Sequence, residues 1–187
     1  MIKMQIKRLI HELSGLYYTL PVTNFLLYVT YIILNIQKIL RSGRLVSADL
    51  MMKGECQFWV WDTAVMLNCH EIDKNIPFDN SSSFTLAREL YCRNVYLRAF
   101  KKFNAKKKTI VDIGGNRGFA SLLMAKALLP ERLIYIEPDV RYANTLKNIF
   151  LENQVCLELI VIHMMIGRKT TDSDLPVQKL ENVLSMY

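Results

Sequence analysis

The chain has few of the residues that hold metals or form disulfides. Its three histidines, His11, His70 and His163, and its four cysteines, Cys56, Cys69, Cys92 and Cys156, are scattered through 187 residues without a C-x-x-C pair. Cys69 and His70 adjoin, but two neighbouring side chains do not make a tetrahedral zinc site, so no metal centre is expected. Dispersed thiols suit reduced, mostly buried cysteines in a cytoplasmic compartment. No formal charge occurs between Glu12 and Lys38. By length alone that gap permits a membrane span of about 20 residues. No small-residue cleavage site follows it, which argues against a removed signal peptide. Two phosphate-binding signatures are also absent: there is no G-x-G-x-x-G, and no Gly-Lys-Ser or Gly-Lys-Thr.

The most informative segment present is TIVDIGGNRG, Thr109 to Gly118. Ile110, Val111 and Ile113 suit a strand buried on both faces. Gly114, Gly115 and Gly118 then permit backbone angles or close approaches that a Cβ would block. A helical pattern follows in Phe119, Leu122, Leu123, Ala127 and Leu128, with its free N-terminal N–H groups aimed at the turn. After Pro130 a second strand, Leu133 to Ile136, ends on Glu137, about 20 residues beyond the turn, where an acid reaches a ribose. Asn116 stands where a dinucleotide fingerprint wants its middle glycine. Asp112, at the carboxyl end of the strand, suits a cationic group better than a phosphate, which it would repel. S-adenosylmethionine, with an amino group, a sulfonium, a ribose and no phosphate, fits these requirements.

The segments VDIGGNRGFASLLMAKAL, IYIEPDVRYANTLKNIFLEN and LELIVIHMMIGRK together resemble the FkbM-type family of S-adenosylmethionine-dependent methyltransferases, over roughly Tyr91 to the C-terminus. The resemblance implies an α/β fold with a Rossmann-like class I methyltransferase core. Asp112, Gly114 and Gly118 would line the methionine moiety, with Gly115 and Asn116 in the same loop, and Glu137 would accept from both ribose hydroxyls. It also implies O-methylation of a small molecule or saccharide. Family members continue with four more strands, and a tract similar to PVQKLENVL precedes the fourth. The expectation is therefore an incomplete core of about three parallel strands: a fragment, a split frame or a degenerate member. The strands expected to help supply a catalytic base lie among those four, so no base is assigned. Two alternatives stand beside this reading. One is a catalytically silent membrane-associated or partner-binding remnant, and the other is an NAD(P)-binding oxidoreductase fragment.

Three regions are expected. Residues 1–44 form an N-terminal amphipathic or hydrophobic helical region, 45–83 a hairpin lead-in and linker, and 84–187 the partial Rossmann-like domain. In the first, Val22, Leu26, Val29, Ile33, Ile36 and Leu40 share one face, and Asn24, Tyr28, Tyr31, Asn35 and Lys38 the other. Pro21 places the start of the regular helix beside it. Such a helix packs on a core or partner, lies in a membrane interface or spans a membrane, so residues 16–40 leave membrane-surface contact open.

In the second region Cys56, Phe58 and Val60 alternate with Gln57, Trp59 and Trp61, Asp62 and Thr63 turn, and Ala64 to Leu67 return. The two tryptophans are read as core-filling. DNSSS, Asp79 to Ser83, reads as a linker, and Leu86, Leu90, Val95 or Tyr96, and Phe100 as a helix. The net charge of +7 is concentrated around Arg88 to Lys108. Lys106 to Lys108 precede the first strand, at the edge opposite to where open α/β sheets bind ligands. With no RNA-binding signature beside them, they read as a solvated face, and no specific nucleic-acid partner is expected.

Overall fold

The computed structural model describes residues 2–76, 81–93, 103, 106–167 and 177–186. Its contacts divide the chain into two compact units, Met1–Lys102 and Phe103–Tyr187. The segment around Arg88 therefore belongs to the first unit, whereas the threefold division expected from the sequence grouped it with the third region.

The N-terminal unit opens with α1 (Ile2–Thr19) and α2 (Val22–Leu34), and Pro21 stands at the N-cap of the second. Asn35 separates α2 from α3 (Ile36–Ser42), with a bend of 75° between their axes. Gly43 ends α3 in the left-handed region at φ 67°, and the short α4 (Val46–Asp49) follows. Strands β1 (Glu55–Val60) and β2 (Thr63–Asn68) form the expected antiparallel hairpin. Its turn is Trp61-Asp62, one residue earlier than expected, and both residues take positive φ. Asn68 caps α5 (Cys69–Asn75). Ser82 caps α6 (Ser83–Ala87), which runs on into a π-helical turn at Arg88–Cys92. Asp79 and Asn80 of the expected linker, and Val95, Tyr96 and Phe100 of the expected helix, lie outside the described residues.

One question that the sequence left open for this unit is answered, and one expectation is corrected. The inward face of α2 is the tyrosine face: Tyr28 and Ile32 are buried, while Val22, Leu26 and Ile33 point outward. The cause is a polar demand inside the core. Tyr28 stacks its ring at 5.1 Å on Phe84 and donates its hydroxyl to the buried Asp49 at 2.6 Å, a pairing that an aliphatic side chain cannot make. In the hairpin, Cys56, Phe58 and Val60 take the buried face, which leaves Trp59 half exposed at 50% rather than core-filling. Phe58 fills the core in its place, against Phe84 and Tyr91.

The C-terminal unit is mixed α/β, a parallel three-stranded sheet flanked by helices. It runs β3 (Thr109–Ile113), α7 (Phe119–Leu128), β4 (Arg132–Ile136), α8 (Val140–Glu152) and β5 (Glu158–Ile162), with sheet order β3-β4-β5. Then β6 (Met165–Ile166) pairs in parallel with β7 (Val177–Gln178), and α9 (Leu180–Leu184) follows. β4 is the central strand and is buried from Leu133 to Ile136. β3, expected to be buried on both faces, is an edge strand of this sheet and only half buried, with Ile113 47% exposed. On one face Ile134, Ile136 and Ile162 pack with Val183 of α9, so the segment after β7 contributes to the core. The crossover helices α7 and α8 pack on each other, and Leu122 and Leu123 of the first and Leu146 and Ile149 of the second are buried.

Candidate functional site

The turn between β3 and α7 follows from three residues in left-handed conformation at alternate positions: Gly114 at φ 71°, Asn116 at 51° and Gly118 at 76°. The glycines have different reasons to be there. A Cβ on Gly118 would lie 2.3 Å from Leu146 Cδ1, so α8 can approach the start of α7 only over a bare Cα. A Cβ on Gly115 would lie 2.3 Å from the Tyr135 ring and 2.8 Å from Asp112 Oδ2. At Gly114 nothing lies within 4 Å of such a Cβ, so that side of its Cα faces open space, while its N–H is held by the Ile136 carbonyl at 2.8 Å. Of the three, Gly114 is the one that leaves room for a ligand.

All the residues singled out in the sequence meet at this turn. Asp112 is half buried, and its Oδ2 accepts from Ser121 Oγ at 2.5 Å, which leaves its other oxygen for a cation. Burial raises the Asp112 pKa above the ordinary aspartate value, and the Ser121 bond only partly offsets this. Glu137 is 7% exposed, and both of its oxygens accept from backbone. Oε2 takes the Asn116 N–H at 3.0 Å and Oε1 the Asp139 N–H at 3.1 Å. Glu137 thus clamps the turn as well as standing beside it, and each oxygen retains a lone pair for a further donor.

Sequence reasoning missed Tyr135 and Ser121. Tyr135 lies two residues before Glu137, hence on the same face of β4. Its hydroxyl donates to the Asn116 carbonyl while Glu137 takes the Asn116 N–H, so both peptide groups of Asn116 are held from β4. Burial, with Glu137 and Asp112 nearby, keeps the phenol neutral and therefore a donor. The period-2 spacing to Glu137 is the signal that could have identified it. Ser121 sits in the first turn of α7, where its hydroxyl reaches back to the strand that precedes the turn.

Other sequence features lie elsewhere. Lys106 bridges Pro130, and Lys108 lies 5.0 Å over the Phe103 ring, before β3 begins and at the opposite end of that strand from the turn. The described residues contain no group of three or more metal ligands. Cys56 and Cys69 are buried and form no disulfide, and Cys156 is exposed. In the N-terminal unit a cavity of about 370 Å³ lies against Glu12, Arg88 and Arg93, whose charges are already paired with one another. It borders that ion network and has no part in the glycine turn.

Asp112 makes a pH prediction. With its pKa raised in the folded state, ionisation opposes folding, so its contribution falls as pH rises from the ordinary carboxylate range through the raised value. Asp112→Asn keeps an acceptor for Ser121 and removes the charge. Melting of the two proteins across pH is expected to show the variant more stable at neutral pH, with the gap closing in acid. A gap that does not depend on pH would refute the assignment.

Comparison of the chain with protein-family models, curated proteins and solved structures found no match.

Proposed function

We propose that the C-terminal unit binds S-adenosylmethionine at the turn Asp112 to Gly118 and at Glu137, as resemblance to FkbM-type methyltransferases implies. The observation that carries this reading is the open side of the Gly114 Cα between two carboxylates, one half buried and the other holding the loop in shape. Asp112 suits the ligand's ammonium and Glu137 its ribose hydroxyls. A phosphate at the same place would meet two carboxylates, which disfavours a dinucleotide.

The bound cofactor supplies an electrophilic methyl on its sulfonium. The chain's own part is to hold that group in a fixed pose, which is most of what such a transfer requires of a protein. Tyr135 and Glu137 serve this by fixing Asn116, so the turn needs little reorganisation on binding. The acceptor in this reading is an oxygen of a small molecule or saccharide. Ultraviolet cross-linking of methyl-labelled S-adenosylmethionine to the full chain tests the placement. Label recovered in the peptide that carries Gly114, and competed by S-adenosylhomocysteine, supports it, whereas label spread over the chain without competition refutes it.

A further inference from the structure

Helix α2 turns its most apolar arc away from the unit it belongs to. Val22, Leu26, Leu27, Ile33 and Leu34 are all exposed, the last two by 65% and 67%. At about 100° per residue they fall, with Thr23 and Thr30, in one arc opposite Tyr28 and Ile32. Thr30, within that arc, donates its hydroxyl back to the Leu26 carbonyl at 3.0 Å.

The charges that flank this arc in the sequence are of one sign, although Glu55, whose backbone carbonyl takes the Asn24 side chain at 3.4 Å, is an exposed carboxylate beside the helix. No acidic residue lies between Glu12 and Asp49, and those two carboxylates are buried on arginines. Lys38, Arg41 and Arg44 are exposed and pair with no carboxylate among the described residues. They follow the 75° bend after α2. At the other end stand Tyr17 and Tyr18, 57% and 77% exposed, with the Tyr17 ring 5.4 Å from that of Phe25. An aliphatic centre with tyrosines at one end and uncompensated cations at the other is the composition of a helix that lies in a lipid interface.

We propose that the outer face of α2 docks on an anionic phospholipid membrane, with the helix lying along the surface and Lys38 and Arg41 meeting the headgroups; Arg44, which lines the cavity beside Glu12 and Glu89, adds to the local positive charge. At 13 residues α2 alone is about 20 Å long against a hydrocarbon core of about 30 Å, and α2 and α3 reach the length and composition of a span only as a pair bent by 75°; the proposal places α2 along the surface and makes insertion an outcome of the test. The proposal does not depend on the methyl-donor site.

The test is co-sedimentation of the full chain with vesicles of phosphatidylcholine alone or with about one quarter phosphatidylglycerol. Binding to the anionic vesicles is expected, falling with salt and at least about tenfold weaker on neutral ones. Leu26→Asp with Ile33→Asp, both outward-facing, should abolish it while leaving the melting curve intact. Each of Lys38→Gln and Arg41→Gln should weaken it about fivefold. Unchanged binding by the double aspartate variant, or no wild-type binding, would overturn the proposal. So would resistance of the bound chain to alkaline carbonate extraction, which would mean insertion. A wild-type dimer that the aspartates dissociate would assign the face to a second copy instead.

Discussion

Arg88→Met is expected to destabilise the N-terminal unit by about 3–5 kcal/mol, because it removes the cation from a buried cluster and leaves the carboxylates behind. Asp49 is fully buried, and the Arg88 guanidinium grips it twice, Nε to Oδ1 at 3.0 Å and Nη2 to Oδ2 at 2.9 Å. The remaining nitrogen, Nη1, donates to Glu12 Oε2 at 2.8 Å, while Arg93 Nε donates to the other oxygen of Glu12 at 2.7 Å. Tyr28 and Thr85 complete the shell of Asp49. Burial is the largest single influence on the Arg88 pKa and would lower it, but Asp49, Tyr28 and Glu12 together turn the net shift upward. Urea unfolding of the full chain measures the loss. In a double-mutant cycle, Asp49→Asn in the Arg88→Met background should recover part of it, since no lone carboxylate then remains. A loss below about 1 kcal/mol would mean that the cluster contributes no more than a surface pair.

Glu137→Ala is expected to weaken S-adenosylmethionine binding by about a hundredfold or more. Two effects combine. The Asn116 and Asp139 N–H groups lose their shared acceptor, so the turn loosens, and the ribose loses charge-assisted bonds worth about 1.5–3 kcal/mol each. Glu137→Gln keeps one acceptor oxygen and should fall between the wild type and Glu137→Ala. Titration of the three proteins checks the order. If the alanine and glutamine variants bind like the wild type, neither the clamp on the turn nor a ribose contact contributes to binding, and the assignment of Glu137 fails.

The two units differ in how much of them the sequence made legible. In the C-terminal unit the signals are local: β-branched residues, closely spaced glycines and Pro130 place β3, the turn, α7 and β4 within a residue or so. Asp112, Gly114, Gly115, Asn116, Gly118 and Glu137 were legible for the same reason. Tyr135 was not, because a tyrosine inside an apolar strand looks like any core aromatic until its hydroxyl is seen on the Asn116 carbonyl. The edge position of β3 also depends on pairing order, which no short pattern reveals.

In the N-terminal unit the decisive contacts are distant. Glu12, Asp49 and Arg88 are brought together from three separate helical segments. No spacing rule marks them, and their placement decides which face of α2 points inward. Hydrophobic periodicity located that helix and its two faces but left open which one turns inward, because it weighs side-chain polarity and cannot know that a buried aspartate needs a tyrosine hydroxyl. The outward Val22-Leu26-Ile33 arc that results is what the membrane proposal rests on.

The most direct test of the cofactor assignment is calorimetric titration of the full chain with S-adenosylmethionine, S-adenosylhomocysteine and NAD(P). Saturable binding of the first two, at least about tenfold tighter than NAD(P) and lost with Glu137→Ala, is the predicted result. No heat with S-adenosylmethionine, or tighter binding of NAD(P), would contradict it.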